Sequence, residues 1–418
     1  RGELMKIAVI GSGISGLTSA YLLSEPHDVT VFEANDYIGG HTHTIDVPLN
    51  GKRYPVDTGV IGFNLKTYPN FVKLLGRLGV AWQDSNMSFS VQCARTGIEF
   101  SPTSLNALFC QRRNLFNPSF YRMLSDVFRF RREARELLKS DDDRITLDQY
   151  LTQNRYSKAF IDHFIIPMGD SIWSADPLHF REFPARLFVE FFENHGILNI
   201  KNQPGWLVIK GGSRSYIEPI TRRFRDKIRL QCPVESVTRL DDGVTVQARG
   251  QAPEAFDKVI IAAHSHQALA MLTDPSPQEQ AVLGNIRYQD NDAILHTDTA
   301  LLPRRKVAWA SWNYHVPKED LGRVALTYNM NILQSLGAPR QFCVTLNLSS
   351  AVDRAKVIRE IPYDHPVYDP VSLAARKRRH EINGHNHTYF CGAYWYYGFH
   401  EDGVRSALDV CSHFGQTL

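Results

Sequence analysis

The sequence predicts an α/β protein in which a mainly helical insertion interrupts an open parallel sheet. Three observations carry this expectation. A buried strand, a glycine-rich turn and a helix follow one another at the start of the chain. Helical periodicity dominates residues 65–200, and strand-like apolar runs return between residues 206 and 263. Alternating segments in residues 287–350 predict a second sheet, followed by a loop-rich, proline-containing stretch to about residue 375.

The amino-terminal segment has the organisation of a nucleotide-binding unit. Lys6–Ile10 is an apolar run typical of a strand buried on both faces, and Leu17–Leu23 has an apolar helical face. The helix N-terminus offers free N–H groups to phosphates. The turn between strand and helix has the G-x-G-x-x-G pattern, in which the first glycine allows the tight turn, the second a close approach of pyrophosphate, and the third close helix packing. It consists of Gly11, Ser12, Gly13, Ile14, Ser15 and Gly16.

An acidic residue follows the second strand. Val29–Phe32 is apolar and ends at Glu33, seventeen residues after Gly16, where a carboxylate accepts hydrogen bonds from a ribose diol. A glycine-rich turn in an ordinary α/β protein is the alternative, but strand, helix and acid together favour a dinucleotide. The adjacent pair Gly39-Gly40 lets backbone N–H groups face a second part of a long cofactor.

The segment from Glu33 to Thr44 resembles the FAD fingerprint of the flavin-containing amine oxidase and phytoene desaturase superfamily. The family usually has Arg after the glycine pair, where this chain has His41, and Asp57-Thr58-Gly59 resembles its next motif. The resemblance implies non-covalent FAD in a Rossmann-like domain of the glutathione-reductase type, interleaved with a mixed α+β substrate domain. It also implies that further cofactor contacts fall on Ala34, Gly39, Gly40, His41, Thr42, Val234, Ala262, Gly392, Asp402, Gly403 and Val404.

The same resemblance divides the chain into two discontinuous domains. The FAD-binding domain is expected at residues 5–64, 201–286 and 376–418, and the substrate domain at residues 65–200 and 287–375. Residues 5–414 are also similar to bacterial NAD/FAD-binding proteins found alongside cyclopropane-fatty-acid synthases, and to the amino-terminal module of plant cyclopropane synthases. Tyr68-Pro69-Asn70, Ser171–Ser174, Ser311–Tyr314 and Tyr394–Val404 carry this similarity. The similarity itself does not define a substrate. By analogy, the association with these synthases points to acyl chains and to a functional link with a fatty-acid methyltransferase.

Four residues are candidates for catalysis, although a flavin carries out hydride chemistry itself. Tyr394 and Tyr396 alternate along an expected strand and would line the substrate side, as an aromatic pair does in amine oxidases; sheet core is the alternative. Lys306 is the analogue of the lysine that amine oxidases place near flavin N5, the alternative being a solvated basic turn. His400 is a candidate proton donor.

Composition limits the remaining possibilities. The 418 residues are 43% hydrophobic and 22% charged, with a net charge of +3, which argues against a nucleic-acid partner. Six scattered cysteines without a C-x-x-C pair predict neither a metal site nor a disulfide framework. We see neither a signal peptide nor a long apolar run, so we expect a cytoplasmic location. Basic regions at residues 120–138 and 376–380 suggest peripheral membrane contact, with solvated surfaces as the alternative.

Three functions remain open at this point. The first is an FAD-dependent oxidoreductase that passes hydride from an apolar, lipid acyl substrate to flavin N5, with oxygen or an electron carrier as reoxidant. The second is a flavin amine oxidase, and the third a non-catalytic flavoprotein partner of a lipid-modifying methyltransferase. The Gly39-Gly40 segment disfavours a dehydrogenase that uses NAD alone.

Overall fold

A computed structural model describes residues 2–59, 61–173, 181–194, 205–319 and 321–418. Its strands are β1 (Lys6–Ile10), β2 (Asp28–Phe32), β3 (Thr44–Leu49), β4 (Lys52–Asp57), β5 (Gly62–Asn64), β6 (Trp82–Asp84), β7 (Phe89–Cys93), β8 (Glu99–Phe100), β9 (Trp206–Ile209), β10 (Ile228–Arg229), β11 (Val234–Leu240), β12 (Gly243–Ala248), β13 (Glu254–Phe256), β14 (Lys258–Ile261), β15 (Tyr288–His296), β16 (Trp312–Val316), β17 (Ala325–Asn329), β18 (Cys343–Leu346), β19 (Val357–Pro366) and β20 (Thr388–Phe390).

The α-helices within the same ranges are α1 (Ile14–Leu23), α2 (Pro69–Leu78), α3 (Leu105–Leu108), α4 (Pro118–Glu133), α5 (Leu147–Gln153), α6 (Lys158–Phe160), α7 (Ile166–Trp173), α8 (Ala185–Asn194), α9 (Ile217–Thr221), α10 (Ser265–Met271), α11 (Pro277–Leu283), α12 (Met330–Gln334), α13 (Pro370–Arg376) and α14 (His400–Ser412). None of the helices in this part of the chain has both the length and the apolar character needed to cross a bilayer.

A five-stranded parallel sheet in the order β10-β2-β1-β14-β20 forms the centre of the nucleotide-binding half. The central strand β1 is buried on both faces: Ile7, Ala8 and Val9 have no exposed surface. This explains why its sequence is a continuous apolar run rather than an alternating one. Helices α1 and α14 pack together against one face. The predicted α/β class is therefore confirmed.

The antiparallel sheet β11-β12-β13 covers the other face of the parallel sheet, together with α10 and α11. Its first two strands form a hairpin, in which Val234–Leu240 pairs with Gly243–Ala248. A buried ion pair joins this layer to α11: Arg239 Nη2 lies 2.6 Å from Glu279 Oε1, and the two side chains are only 4% and 2% exposed. Glu279 depends on this partner, because without Arg239 its charge would be buried without compensation; Arg239 also lies 3.1 Å from Asp274.

A seven-stranded sheet in the order β19-β15-β18-β17-β16-β7-β8 confirms the predicted second sheet. Its only parallel pair among the described strands is β16 with β7, which joins two segments far apart in sequence. The prediction of loop between residues 350 and 375 is wrong, because β19 occupies Val357–Pro366. Its prolines, Pro362 and Pro366, are tolerated because β19 is an edge strand and pairs on one side only.

Helices from residues 118–194 pack against this sheet through an aromatic core that includes Phe120, Phe130, Phe160, Phe188 and Phe191. The predicted helical character of residues 103–140 is confirmed in outline, with a 3-10 turn at Arg112–Phe116 between α3 and α4. The predicted domain boundaries stay a prediction. Sheet pairing does show that β6, within the expected insertion, pairs with β9 from the second nucleotide-binding segment.

Candidate functional site

The glycine-rich turn leaves free space at one of its three glycines. Gly11 has φ +109°, and a Cβ atom there would lie 2.4 Å from the Ala262 carbonyl oxygen. A Cβ on Gly16 would lie 2.0 Å from the Gly11 carbonyl oxygen. A Cβ on Gly13 would meet none of the described atoms within 4 Å. Gly11 and Gly16 are thus required by protein packing, whereas Gly13 keeps a space open above the start of α1.

The start of α1 has the features of an anion site. Gly13 is the N-cap and contributes no side chain, and the first turn carries no acidic residue. The first N–H groups of this ten-residue helix therefore remain available to a negatively charged group. Gly40 forms an adjacent wall, since a Cβ on it would lie 3.3 Å from Gly13 Cα and its φ is +60°.

Glu33 connects the turn to the glycine pair. Its buried carboxylate accepts hydrogen bonds from the Ser12 N–H (3.1 Å), the Ser12 hydroxyl and the Asn35 N–H (2.9 Å). Ser12 Oγ in turn accepts one from the Gly39 N–H at 3.2 Å. Glu33 therefore lies where the sequence predicts a carboxylate that binds the ribose. Its hydrogen bonds also hold the glycine turn and, through Ser12, the Gly39 segment in place.

The adenine-proximal contacts predicted by resemblance lie next to Glu33. The Cys232 N–H donates to the Glu33 carbonyl oxygen at 2.9 Å, and the Gln231 N–H donates to the Asn35 carbonyl oxygen at 2.9 Å. These bonds bring half-buried Val234, at the start of β11, to the end of β2 that carries Ala34. Their role as cofactor contacts stays a prediction.

The carboxy-terminal helix meets the same turn. A Cβ on Gly403 would lie 2.5 Å from Ile14 Cγ2, so the beginnings of α1 and α14 are in contact. Asp402 accepts a hydrogen bond from the Phe399 N–H at 3.0 Å, and burial raises the pKa of its carboxyl to about 7. Gly392 donates its N–H to Ser406 Oγ at 2.9 Å. The structure thus brings Gly392, Asp402, Gly403 and buried Val404 together beside the glycine turn.

Asp57 ties three distant segments to this cleft. Its carboxylate accepts hydrogen bonds from Thr44 Oγ1 (2.6 Å), the Ser213 N–H (2.9 Å) and Gln334 Nε2 (3.3 Å). Burial raises the pKa of Asp57 to about 6. A Cβ on Gly59 would lie 1.8 Å from the His41 carbonyl oxygen. The Asp57-Thr58-Gly59 motif therefore positions the segment that starts at His41 and contains Thr42.

A group of rings surrounds His41, where the family usually has Arg. The His41 ring lies 4.8 Å from Tyr363, 5.7 Å from His365 and 5.9 Å from His264. Burial lowers the pKa of His41 to about 4 and that of both His264 and His365 to about 3. These imidazoles are therefore neutral near pH 7, able to donate and accept hydrogen bonds without carrying charge.

Sequence reasoning missed the partners of His41. Tyr363 and His365 lie on β19, in the stretch expected to be loop, and no local pattern links them to His41. His264 follows β14, two residues after Ala262, which the resemblance implies as a cofactor contact. His264, His266 and Asp364 also form a group whose donor atoms lie within 4.8 Å of one another, close enough to hold a metal ion. The His264-x-His266 spacing was the available signal for this group, and it was not used.

The predicted arrangement of Tyr394 and Tyr396 is wrong. Strand β20 ends at Phe390, and Ala393–Trp395 is a 3-10 helix, so the two tyrosines do not alternate along a strand. Tyr394 is buried in the core beneath the parallel sheet, against Trp395. Tyr396 donates its hydroxyl proton to Asp409, and its ring lies near Arg379 and Arg405.

Different aromatic residues of the same segment pack against the half that contains the seven-stranded sheet. The Tyr397 and Phe399 rings lie 5.4 Å and 5.6 Å from Phe191 on α8. Both residues pack against the aromatic core of the seven-stranded sheet. The aromatic lining of a substrate site stays a prediction, and Tyr397 and Phe399 are the aromatic residues of this segment that reach the core of the seven-stranded sheet.

The other two catalytic candidates do not have the surroundings that their proposed roles require. Lys306 is exposed on a 3-10 turn, with Nζ 5.4 Å from the centre of the Trp309 ring, so it forms the solvated basic turn. His400 is buried and stacks on Phe71 at 4.7 Å with an interplanar angle of 3°. Burial lowers the pKa of His400 to about 3, so it does not carry a proton to donate near neutral pH.

Comparison with known proteins extends these observations. The family model described as "Flavin containing amine oxidoreductase" matches residues 14–325. Amine oxidase [flavin-containing] A of Sus scrofa is 24% identical over 270 residues, which cover 59% of this chain and 47% of that protein. The chain therefore spans about half the length of that curated relative.

Two further relatives concern less polar compounds. The 1-hydroxycarotenoid 3,4-desaturase of Flavobacterium sp. (strain P99-3) is 40% identical over 76 residues, covering 18% of this chain and 14% of that protein. The structure of a CLA-producing fatty acid isomerase from P. acnes superposes with a TM-score of 0.69 at 16% identity, covering 98% of both chains. At that identity the structural match shows a shared fold.

Proposed function

We infer the function from one premise: the chain belongs to the flavin-containing amine oxidoreductase family, whose model matches residues 14–325. It is accordingly an FAD-dependent oxidoreductase with a Rossmann-like FAD-binding domain. The family does not define the substrate, which is the subject of the proposal below.

The cleft fits FAD on three structural grounds. The open space at Gly13, above the uncapped start of α1, suits a pyrophosphate. Glu33 is held at the end of β2, where a ribose is expected. Nδ1 and Nε2 of His400 are both buried and have no hydrogen-bond partner within the described protein, although His400 lies at the start of α14 beside the turn. Buried polar atoms of this kind are normally satisfied, here by a bound group.

We propose that the substrate is apolar, of the lipid acyl class, and that it is dehydrogenated or otherwise changed in redox state. The observation that carries this proposal is the character of the junction between the two halves. Tyr397, Phe399 and Phe191 meet there, and His41 and His365 are neutral. No lysine is buried anywhere in the described ranges, so the base-like lysine of amine oxidases has no counterpart among those residues.

The protein side of the reaction follows from these groups. FAD supplies the redox chemistry when bound, by taking up hydride from a substrate C–H bond at N5, with oxygen or an electron carrier as the final acceptor. Glu33 and the start of α1 would hold the cofactor, and His41 and His365 would offer hydrogen bonds without charge. The aromatic residues at the junction exclude water, which favours a neutral hydrocarbon substrate over a hydrated cation.

An amine substrate is the second candidate, favoured by the relationship to an amine oxidase. The proposed link with cyclopropane-fatty-acid synthases, through a fatty-acid methyltransferase, rests on the sequence similarity across residues 5–414. The desaturase and the fatty acid isomerase among the matches support an apolar substrate. A non-catalytic partnership with such a methyltransferase remains the alternative from a different class.

Anaerobic reduction of the bound flavin tests the proposal. Purified protein is freed of oxygen and mixed with phospholipids carrying unsaturated acyl chains, with saturated phospholipids, or with benzylamine and putrescine. We expect acyl lipids to bleach the visible flavin absorbance and amines to leave it unchanged. Bleaching by amines alone would contradict the acyl proposal. If dithionite bleaches the flavin but neither class of compound does, the partner function is favoured.

A matched pair of variants separates the junction from general damage. Phe399→Ala opens the aromatic junction, whereas Tyr396→Phe changes a ring that contacts Asp409 and two arginines instead. We expect Phe399→Ala to slow reduction by acyl substrates about tenfold or more, and Tyr396→Phe to leave that rate within about twofold. Equal rates in wild type and Phe399→Ala would argue against the junction as the substrate site.

A further inference from the structure

One surface of the substrate half exposes large apolar side chains on adjoining elements. Phe116, in the 3-10 turn before α4, is 88% exposed, and Leu105 on α3 is 77% exposed. Tyr121 and Phe128 on α4, Leu115 in the turn and Val307 also have more than a third of their surface exposed. We call these six residues the Phe116 surface. Side chains of this size are rarely exposed together on a protein that contacts only water.

The elements that carry the Phe116 surface are packed together. The 3-10 turn Lys306–Ala308 contacts α3, and the ring of Phe109, just after α3, lies 5.9 Å from the Tyr121 ring on α4. The Tyr121 hydroxyl donates to the Leu115 carbonyl oxygen at 2.9 Å. The apolar side chains therefore project from a rigid base, so that little conformational entropy would be lost if they were buried in a partner.

Basic residues surround these apolar side chains. Exposed cations on the same elements are Arg112, Arg113, Arg122, Arg304, Arg305 and Lys306. Two of them are paired with a buried carboxylate: Arg122 lies 3.3 Å from Asp126 and Arg305 lies 3.6 Å from Glu99. Between residues 101 and 132 the only acidic residue is Asp126, which is 1% exposed, and residues 303–308 contain none. The acid closest to the turn, Glu99, is buried and accepts hydrogen bonds from the N–H groups of Arg304 and Arg305. The outward charge on these segments is therefore positive.

We propose that the Phe116 surface binds the headgroup region of an anionic lipid bilayer. Exposed Phe and Leu side chains among Arg and Lys are the composition of an interfacial anchor, in which the apolar groups enter the acyl boundary and the cations meet lipid phosphates. The absence of exposed acids from residues 101–132 and 303–308 favours a negatively charged partner. The projecting apolar side chains favour a lipid bilayer, whose apolar interior they can enter. This docking is independent of the substrate proposed above.

The docking surface differs from the two basic regions that the sequence suggested. Most large apolar residues of the helix at 120–138 point inward, including Phe120, Met123 and Phe130. In the region 376–380, Arg376 is 3% exposed and donates to the Tyr394 carbonyl oxygen, and Arg378 pairs with Glu381 at 2.7 Å. The second region thus contains a buried arginine that holds the chain internally, followed by an exposed turn with an ion pair. Of the two basic regions, only the first contributes to the Phe116 surface, through the outer face of α4.

Vesicle sedimentation with FAD-loaded protein tests the docking. The probes are vesicles of phosphatidylcholine alone and vesicles containing about one-third phosphatidylglycerol. We expect binding to the anionic vesicles only, weakened by added salt. Leu105→Ser with Phe116→Ser should weaken it at least about tenfold. The double variant Arg112→Gln with Arg113→Gln should weaken binding to anionic vesicles roughly 25-fold, because each basic residue near the membrane contributes about fivefold in affinity.

The control removes the same charge elsewhere. Lys377→Gln with Arg378→Gln takes two exposed cations from outside the Phe116 surface, and we expect binding within about twofold of wild type. The retained flavin spectrum shows that each variant is folded. The proposal is overturned if wild type does not sediment with anionic vesicles, if the Leu105/Phe116 variant binds like wild type, or if the control loses as much as the Arg112/Arg113 variant. Concentration-dependent self-association without vesicle binding would assign the surface to a second copy of the chain and would also overturn it.

Discussion

Buried neutral histidines are expected to make this fold sensitive to mild acid, and His400 allows a direct test. The pKa of His400 is about 3 in the folded protein and about 6.5 when unfolded. Because the folded pKa is the lower one, stability is fully present above pH 6.5 and falls as the unfolded chain takes up a proton below it. At about pH 5.5, one unit below the unfolded pKa, His400 lowers the free energy of unfolding by about 1.4 kcal/mol.

The other histidines of the cleft act in the same direction. Folded pKa values of about 4 for His41 and about 3 for His264 and His365 imply a similar loss for each. The four residues together amount to roughly 5 kcal/mol at about pH 5.5, a large part of the 5–15 kcal/mol that typical proteins have. We therefore expect these histidines to destabilise the protein between about pH 6.5 and about pH 5.5. Asp57 and Asp402 act in the opposite direction, because burial raises their pKa values and the folded state takes up protons there first.

The assay compares FAD-free wild type with FAD-free His400→Phe by urea unfolding, followed by tryptophan fluorescence, at about pH 8 and about pH 5.5. FAD is left out because His400 is expected to contact it. Phenylalanine keeps the stack on Phe71 and removes the titrating group. We expect wild type to lose about 1.4 kcal/mol more than the variant between the two pH values. Exposed His385 provides the control, and His385→Gln should keep the wild-type pH dependence. Equal pH dependence in wild type and His400→Phe would refute the reasoning.

Three further predictions concern the cleft and its support. Gly13→Ala should fold normally but bind FAD roughly 100-fold more weakly in a flavin titration, because its Cβ enters the open space. Gly11→Ala should instead lose about 3 kcal/mol or more of unfolding free energy, because its Cβ meets Ala262. If Gly13→Ala binds flavin weakly but is also destabilised, the result does not support this assignment. Glu33→Gln should weaken FAD binding about tenfold in the same titration, since charged hydrogen bonds at Ser12 and Asn35 become neutral; unchanged affinity would contradict it. Arg239→Met should cost about 3–5 kcal/mol in urea unfolding, because Glu279 is left buried without its partner, and a loss below about 1 kcal/mol would count against this.

Local sequence signals predicted the parts of the fold that depend on neighbours in the chain. The strand before Gly11, the helix after Gly16 and the hairpin starting at Val234 each carry their own periodicity and turn residues, and the structure contains all of them. Gly13 and Glu33 were recognised for the same reason, since their spacing lies within one β-turn-α-β unit.

Other parts of the site depend on contacts that no local pattern records. The aromatic run after Gly392 reads as a strand, but the chain turns into a 3-10 helix there, which directs Tyr397 rather than Tyr396 toward the substrate half. Because β19 contains prolines, its sequence was interpreted as loop although it is an edge strand. The neighbours of His41, which lie on β19, were therefore missed. Lys306 was a candidate because of its place in chain order, with a solvated basic turn as the alternative. The structure has that turn exposed and packed against α3.

The contact between Gly403 and Ile14 has a consequence for biosynthesis. At translation rates of about 5–20 residues per second, roughly 20–80 s separate the synthesis of these two residues. Glu401, which accepts hydrogen bonds from the N–H groups of Asn70 and Phe71, is equally late. During that interval the glycine turn has no facing wall. The cleft can therefore close around a cofactor only after the segment that contains Glu401 and Gly403 has left the ribosome.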